Sequence, residues 1–195
     1  MVDSESRRAA AVAGHAGDEA GARQLLHHPD PAVRATALGA LARLGRAGVA
    51  DVEAALADQS PEVRRRACRV ATGVAGVDLV PMLADPDAGV VEVAAWALGE
   101  RAGAPGDTVA RLSTVATAHD DPLCREAAVA ALGAIGDERG VPAILAATKD
   151  KPAIRRRAVI ALAPFEGPEV DAALEAAMSD RDWQVRQAAE DLSDP

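Results

Sequence analysis

Three short stretches decide how this chain is read: Asp30-Pro31-Ala32-Val33-Arg34, Ser60-Pro61-Glu62-Val63-Arg64 and Asp121-Pro122-Leu123-Cys124-Arg125. They are versions of one phrase. With the first residue as anchor, seven copies start at Asp3, Asp30, Ser60, Asp87, Asp121, Lys151 and Asp182, at spacings of 27, 30, 27, 34, 30 and 31 residues. Seven residues after every anchor comes alanine: Ala10, Ala37, Ala67, Ala94, Ala128, Ala158 and Ala189. Four after it comes arginine in six copies, Arg7, Arg34, Arg64, Arg125, Arg155 and Arg186, with Val91 breaking the ladder in the fourth. Three after it comes a small apolar residue in six: Val33, Val63, Val90, Cys124, Ile154 and Val185. Agreement at independent offsets marks a repeat architecture.

Each offset has a physical reason. Asp or Ser at the anchor accepts hydrogen bonds from the orphan N–H groups that begin a helix. Proline directly after it, as Pro31, Pro61, Pro122 and Pro152, suits the first helical position. Offsets 3, 7 and often 11 (Leu41, Leu98, Leu132, Leu162) share one face at helical period. Alanine at offset 7 lets a neighbouring helix approach closely. Gly45, Gly73, Gly103 and Gly136 end the first helix or turn the chain after it. A second apolar segment follows in each unit: Ala22, Leu25, Leu26; Val52, Leu56; Leu79, Val80, Leu83; Val109, Leu112, Val115; Ile144, Leu145; and Val170, Leu174, Met178. Two helices and a short turn, recurring about every 30 residues, predict an all-α solenoid that runs as one domain over 1–195.

Working outward, the composition excludes several functions. Of 195 residues 48 are alanine, and the aromatic rings number three, Phe165, Trp96 and Trp183. A base-stacking surface or an aromatic cage needs more. The chain is 49% hydrophobic and 26% charged, which suits a packed, soluble domain and argues against disorder. No stretch reaches the roughly 20 apolar residues that span a membrane. The start, Met1 to Gly14, does not read as a secretory signal. Cys68 and Cys124 make no disulfide framework, so a cytoplasmic location is expected. The net charge of −9 disfavours nucleic acid and anionic membranes as partners.

The stretch from Ala131-Leu132-Gly133-Ala134-Ile135-Gly136-Asp137 through Val141-Pro142-Ala143-Ile144-Leu145 to Ile154-Arg155 resembles the short HEAT-like repeats of the phycobilisome-lyase type. The resemblance spans nearly the whole chain. It implies six HEAT-like helical hairpins plus a C-terminal helix from about Trp183. Such proteins are mostly scaffolds or adaptors, and some are bilin lyases, hydroxylases or DNA glycosylases. The resemblance also implies that the second helices line the concave face.

The arginine ladder has two readings, a binding stripe or inter-repeat pairing with anchor aspartates and carbonyls. Its place beside the apolar offset 3, and the multi-donor guanidinium, favour the structural one. Charge points elsewhere. The second-helix windows hold 15 acidic and four basic residues, whereas the first-helix windows hold 12 and 16. An acidic concave face is therefore expected, with Asp51, Glu53, Asp78, Glu169, Asp171 and Glu175 as interface candidates and a protein with a basic or mixed-charge segment as partner. Aspartates 58, 85, 120, 150 and 180 weaken that count if they serve only as turn formers.

The fourth copy departs from the pattern, with Val91, the longest spacing and a Gly/Pro-bearing loop over 101–108. Trp96 occupies a variable offset there, either as an interface anchor or packed beneath its own loop. Trp183 is expected to cover the last hydrophobic pair. Arg64-Arg65-Arg66 and Arg155-Arg156-Arg157 are two short basic clusters on the first-helix layer, without the rings a nucleic-acid surface needs. No His-Glu pair occurs, which removes the resemblance to the iron-binding hydroxylases. His27 and His28 read as solvated turn residues and the cysteines as small core residues. No residue set predicts catalysis, a metal or a cofactor. The expected role is a non-catalytic protein–protein interaction scaffold; the alternative is a lyase-type subunit that assists chromophore or cofactor attachment beside a partner subunit. Nucleic-acid binding or DNA repair ranks below both.

Overall fold

Helix signals in the sequence translate directly into elements. The computed structural model describes residues 2–101 and 103–193, without the side chains of Val2 and Asp3. The first anchor's side chain and Ala102 of the 101–108 loop therefore lie outside the described residues. Twelve α-helices occur among them and no strand: α1 (Val2–Ala16), α2 (Glu19–Leu25), α3 (Pro31–Arg43), α4 (Val49–Leu56), α5 (Pro61–Ala71), α6 (Ala88–Gly99), α7 (Thr108–Ala118), α8 (Pro122–Ile135), α9 (Val141–Ala147), α10 (Pro152–Ala161), α11 (Pro168–Ala177) and α12 (Trp183–Ser193). The fold is an all-α solenoid of helical hairpins.

The four anchor prolines all open their helices. Asp30, Asp87 and Asp121 cap α3, α6 and α8, taking the N–H groups of Ala32, Val90 and Leu123. Ser60 and Lys151 sit at the same position but make no side-chain cap. The third second-helix segment is corrected: Val80–Ala84 is only a 3-10 turn. Pro81 is its second residue, which fits a first helical turn, but Pro86 turns Asp85 away from helical dihedrals and leaves too few residues for more than one turn. Met178, counted with the apolar face of α11, is exposed at its C-cap.

The helices divide into two compact units, Met1–Met82 and Leu83–Pro195. In the first, α1, α3 and α5 pack side by side, with α2 and α4 on them as a second layer. In the second, α6, α8, α10 and α12 form the first-helix layer, and α7, α9 and α11 the other. All seven offset-7 alanines are 0% exposed, and the offset-3 residues are buried with them. Alanine there is a spacing device: each layer closes to a distance that a larger side chain would not permit.

Glycine closes the first-helix layer at a second place. A Cβ on Gly133 would lie 2.7 Å from the Cα of Ala161, and one on Gly99 2.9 Å from the Cα of Ala131. Thus α8 rests on α10, and α6 on α8, through bare backbone. Sequence reading placed the close approach at offset 7; offsets 10 and 12 share it.

Candidate interaction surfaces and the arginine joints

The ladder guanidiniums work at the turns between hairpins. Arg34 donates from Nε and Nη2 to both oxygens of Asp58, at 2.8 and 2.7 Å, and from Nη1 to the carbonyls of His28 and Pro29. Arg125 does the same to Asp150, at 2.7 and 3.0 Å, and to the carbonyls of His119 and Asp120. Arg155, only 5% exposed, grips Asp180 at 2.8 and 2.7 Å and the Asp150 carbonyl at 2.9 Å. Arg64 donates to the carbonyls of Asp58 and Gln59, and Arg186 to that of Asp180. Arg7 is exposed on α1.

The carboxylate partner is corrected by this geometry. It is the aspartate that ends the repeat's own second helix, not the anchor. One guanidinium thereby ties the turn entering its first helix to the turn leaving its second. Only a planar fork with several donors can do both. The side-chain bonds from Arg34, Arg125 and Arg155 hold Asp58, Asp150 and Asp180 below the usual carboxylate range against a smaller desolvation effect.

These pairings thin out the acidic layer expected from counting. Asp58, Asp150 and Asp180 are neutralised. Asp51 takes Arg23 Nη1 at 3.0 Å and also accepts the Gly48 N–H, so it holds α4 to α2 rather than facing solvent. Asp78 precedes the 3-10 turn and accepts the Val80 N–H. Glu53 on α4, and Glu169, Asp171 and Glu175 on α11, are exposed and have no ion pair among the described residues. Asp78, Asp120 and Glu138 are exposed too, but α11 carries three such acids on one helix, and Glu53 belongs to the other unit.

Both tryptophans are exposed. Trp96, on the outer face of α6, is 44% exposed. Trp183 is corrected: at 64% exposed it covers no terminal core. Val159, Ala177, Val185, Ala188 and Ala189 close that cluster without it, with Leu174 against them. Trp183 instead borders a shallow groove of about 280 Å³ beside Ile160 and Leu192. In the other unit a groove of about 620 Å³ runs past Leu26, His28, Arg34, Asp51, Ala54 and Asp58.

Neither groove gathers catalytic groups. Cys68 and Cys124 are buried thiols, and burial pushes Cys124 up to about 11, so it is inert as a nucleophile at neutral pH. Among the described residues no group of three or more histidines, cysteines and acids is placed to hold a metal ion. No helix is long and apolar enough to cross a membrane. His27 is exposed, but His28 and His119 are not idle turn residues: each accepts a backbone N–H through Nδ1.

Paired hairpins joined by arginine-tied turns point to one family, and a family model of HEAT repeats matches residues 19–75, 76–162 and 109–193. The chain belongs to the HEAT-repeat family. No curated protein matches it. Among solved structures it is similar to the YibA protein of Escherichia coli, at 18% identity and TM-score 0.72, over 94% of this chain and 70% of that one. A designed armadillo repeat protein, solved with the peptide (KR)4, aligns at 19% identity and TM-score 0.60 over 88% and 96%. Human deoxyhypusine hydroxylase, an enzyme on a similar frame, aligns at 22% identity and TM-score 0.52 over 97% and 78%. At these identities the likeness is one of fold.

Proposed function

We propose that this HEAT-repeat chain is a non-catalytic scaffold that binds a basic segment of another protein through its second-helix layer. The observation that carries the reading is the exposed, unpaired set Glu169, Asp171 and Glu175 on α11. Acids already bonded to arginine offer little to a partner, whereas these keep their charge for one. The designed neighbour holding a Lys/Arg peptide supports the choice of partner chemistry by analogy of fold. Trp96 is a second contact, an exposed ring in a copy with no ladder arginine. The ladder arginines are structural in this reading, the two units act as one domain, and two buried free thiols suit a reducing compartment such as the cytoplasm.

Fluorescence anisotropy with a labelled (Lys-Arg)4 peptide tests it. Binding should weaken steeply with salt and fall about tenfold in Glu169→Gln/Asp171→Asn/Glu175→Gln. Salt-insensitive binding, or an unchanged affinity in the triple variant, would sink the reading. The phycobilisome-lyase subtype stays the alternative; new absorbance after co-expression with a bilin would favour it.

A further inference from the structure

In five of the six junctions the residue two positions before an anchor closes the turn into the next hairpin, and there it comes in two chemistries. Before α10 that position is Lys149, and the adjacent Asp150 takes the Lys151 N–H instead. Before α5, α6 and α12 it is aspartate. Asp58 Oδ1 accepts the Ser60 N–H at 2.8 Å, Asp85 Oδ1 the Asp87 N–H at 2.9 Å, and Asp180 Oδ1 the Asp182 N–H at 2.8 Å. Before α3 and α8 it is histidine. His28 Nδ1 accepts the Asp30 N–H at 3.1 Å, and His119 Nδ1 accepts the Asp121 N–H at 3.0 Å.

The substitution follows the ladder. A ladder arginine reaches for the carboxylate that ends its own repeat, as Arg34, Arg125 and Arg155 do. In the fourth copy the ladder residue is the buried Val91, and the repeat ends in His119. In the first copy Arg7 lies exposed, and the repeat ends in His28. The carbonyls of both turns are held by the ladder arginine that follows, Arg34 or Arg125. The closing histidine takes no guanidinium from its own repeat, whereas Asp58 and Asp180 do, so the imidazole closes its turn without an ion pair behind it.

An imidazole nitrogen accepts a hydrogen bond only while unprotonated; imidazolium is a donor at both nitrogens. Histidine is the side chain whose charge changes between about pH 5 and 8. We propose that His28 and His119 are acid-sensitive joints. Protonation at Nδ1 turns the acceptor into a donor facing the anchor's N–H, and loosens the α2–α3 and α7–α8 turns while the aspartate turns stay closed.

The surrounding charges act on the ring in opposite senses. His119 is flanked by Asp120 and Asp121 and faces Arg125, which bonds the His119 carbonyl and pairs with Asp150. Beside His28 are His27, Asp30 and Arg34, which bonds the His28 carbonyl, and across the groove Asp51 and Asp58. The arginine opposes a second positive charge at the same turn. The acids give a charged ring partners other than the backbone N–H, so the ring swings away rather than holding its place.

Amide hydrogen exchange by NMR on the full chain at pH 7.5 and 5.5, corrected for intrinsic rates, tests the joints. Protection of the Asp30 and Asp121 amides should fall about fivefold relative to Ser60 and Asp182, the loss of one hydrogen bond. His119→Asp, which installs the aspartate of the other turns, should abolish the loss at Asp121 and leave it at Asp30; His27→Gln should change neither. An equal response at Asp121 and Asp182, or a loss that persists in His119→Asp, would overturn the proposal. Should that variant fold poorly, the wild-type chain decides: an imidazole 15N titration that leaves the Asp121 amide shift unmoved overturns it as well.

Discussion

The fourth and fifth repeats, adjacent in one unit, solve the same joint in opposite ways. The fifth ties its ends with Arg125 and Asp150, a bidentate pair with both side chains mostly covered. The fourth has Val91 and His119 at the corresponding places, a buried aliphatic chain and an imidazole that serves its own turn. The change is paired, because a guanidinium sunk at offset 4 without a carboxylate is an uncompensated charge. The fourth repeat drops both halves of the clamp, whereas the first keeps its arginine, Arg7, out in solvent. The fourth repeat also exposes Trp96 on its first helix, as the last copy exposes Trp183.

That comparison can be broken most sharply by Val91→Arg. Alone it should cost about 4 kcal/mol by urea denaturation, the order expected of an unpaired buried charge. Combined with His119→Asp, at least half of that loss should return; a strictly additive double variant would show that the clamp does not transfer between repeats. Next in size is Arg155→Met, expected to cost about 3 kcal/mol because Asp180 is left covered and unpaired, with Arg156→Met near neutral.

The glycine contacts give a third contrast. Gly133→Ala should cost about 1–3 kcal/mol despite the gain in helix propensity, since its methyl would meet the backbone of Ala161. Gly39→Ala, whose nearest neighbour is the Arg66 side chain at 3.4 Å, should stabilise by about 0.5–1 kcal/mol. Equal effects would remove the close packing of α8 on α10 as an explanation.

Acid comes next. Asp58, Asp150 and Asp180 are held below their usual range, so their stabilisation is complete above about pH 4 and is lost as pH falls through the depressed values. Asp150→Asn should flatten the stability curve below pH 4, and an unchanged slope would contradict the pairing. The smallest stability effect, under about 0.5 kcal/mol, is expected for Trp96→Ala, whose ring is largely in solvent. Its effect should appear in partner binding, and a large drop in melting temperature would place the ring in the core.

Much of this was legible along the chain. Proline at the first helical position, alanine at offset 7 and the apolar offsets 3 and 11 each act through local geometry, and so can be read one residue at a time. The segment at 80–84 carries apolar residues that fit a helical face, but Pro86 stops the chain one turn after Pro81 starts it. Nothing local fixes the side of Trp183, because a first-turn ring can point either way, and the last cluster is already closed by small residues.

The sequence by itself determined the repeat, the helix boundaries within a few residues and the buried stripe of each first helix, all of which follow from dihedral preference and periodicity. Tertiary structure alone decided which acids are spent and which are free. A ladder arginine lies 24 or 25 residues from its carboxylate, a separation with no local signature. Only the packed hairpin, returning its second helix to the level of its first, brings the two within 3 Å of each other and leaves Glu169, Asp171 and Glu175 without a partner among the described residues.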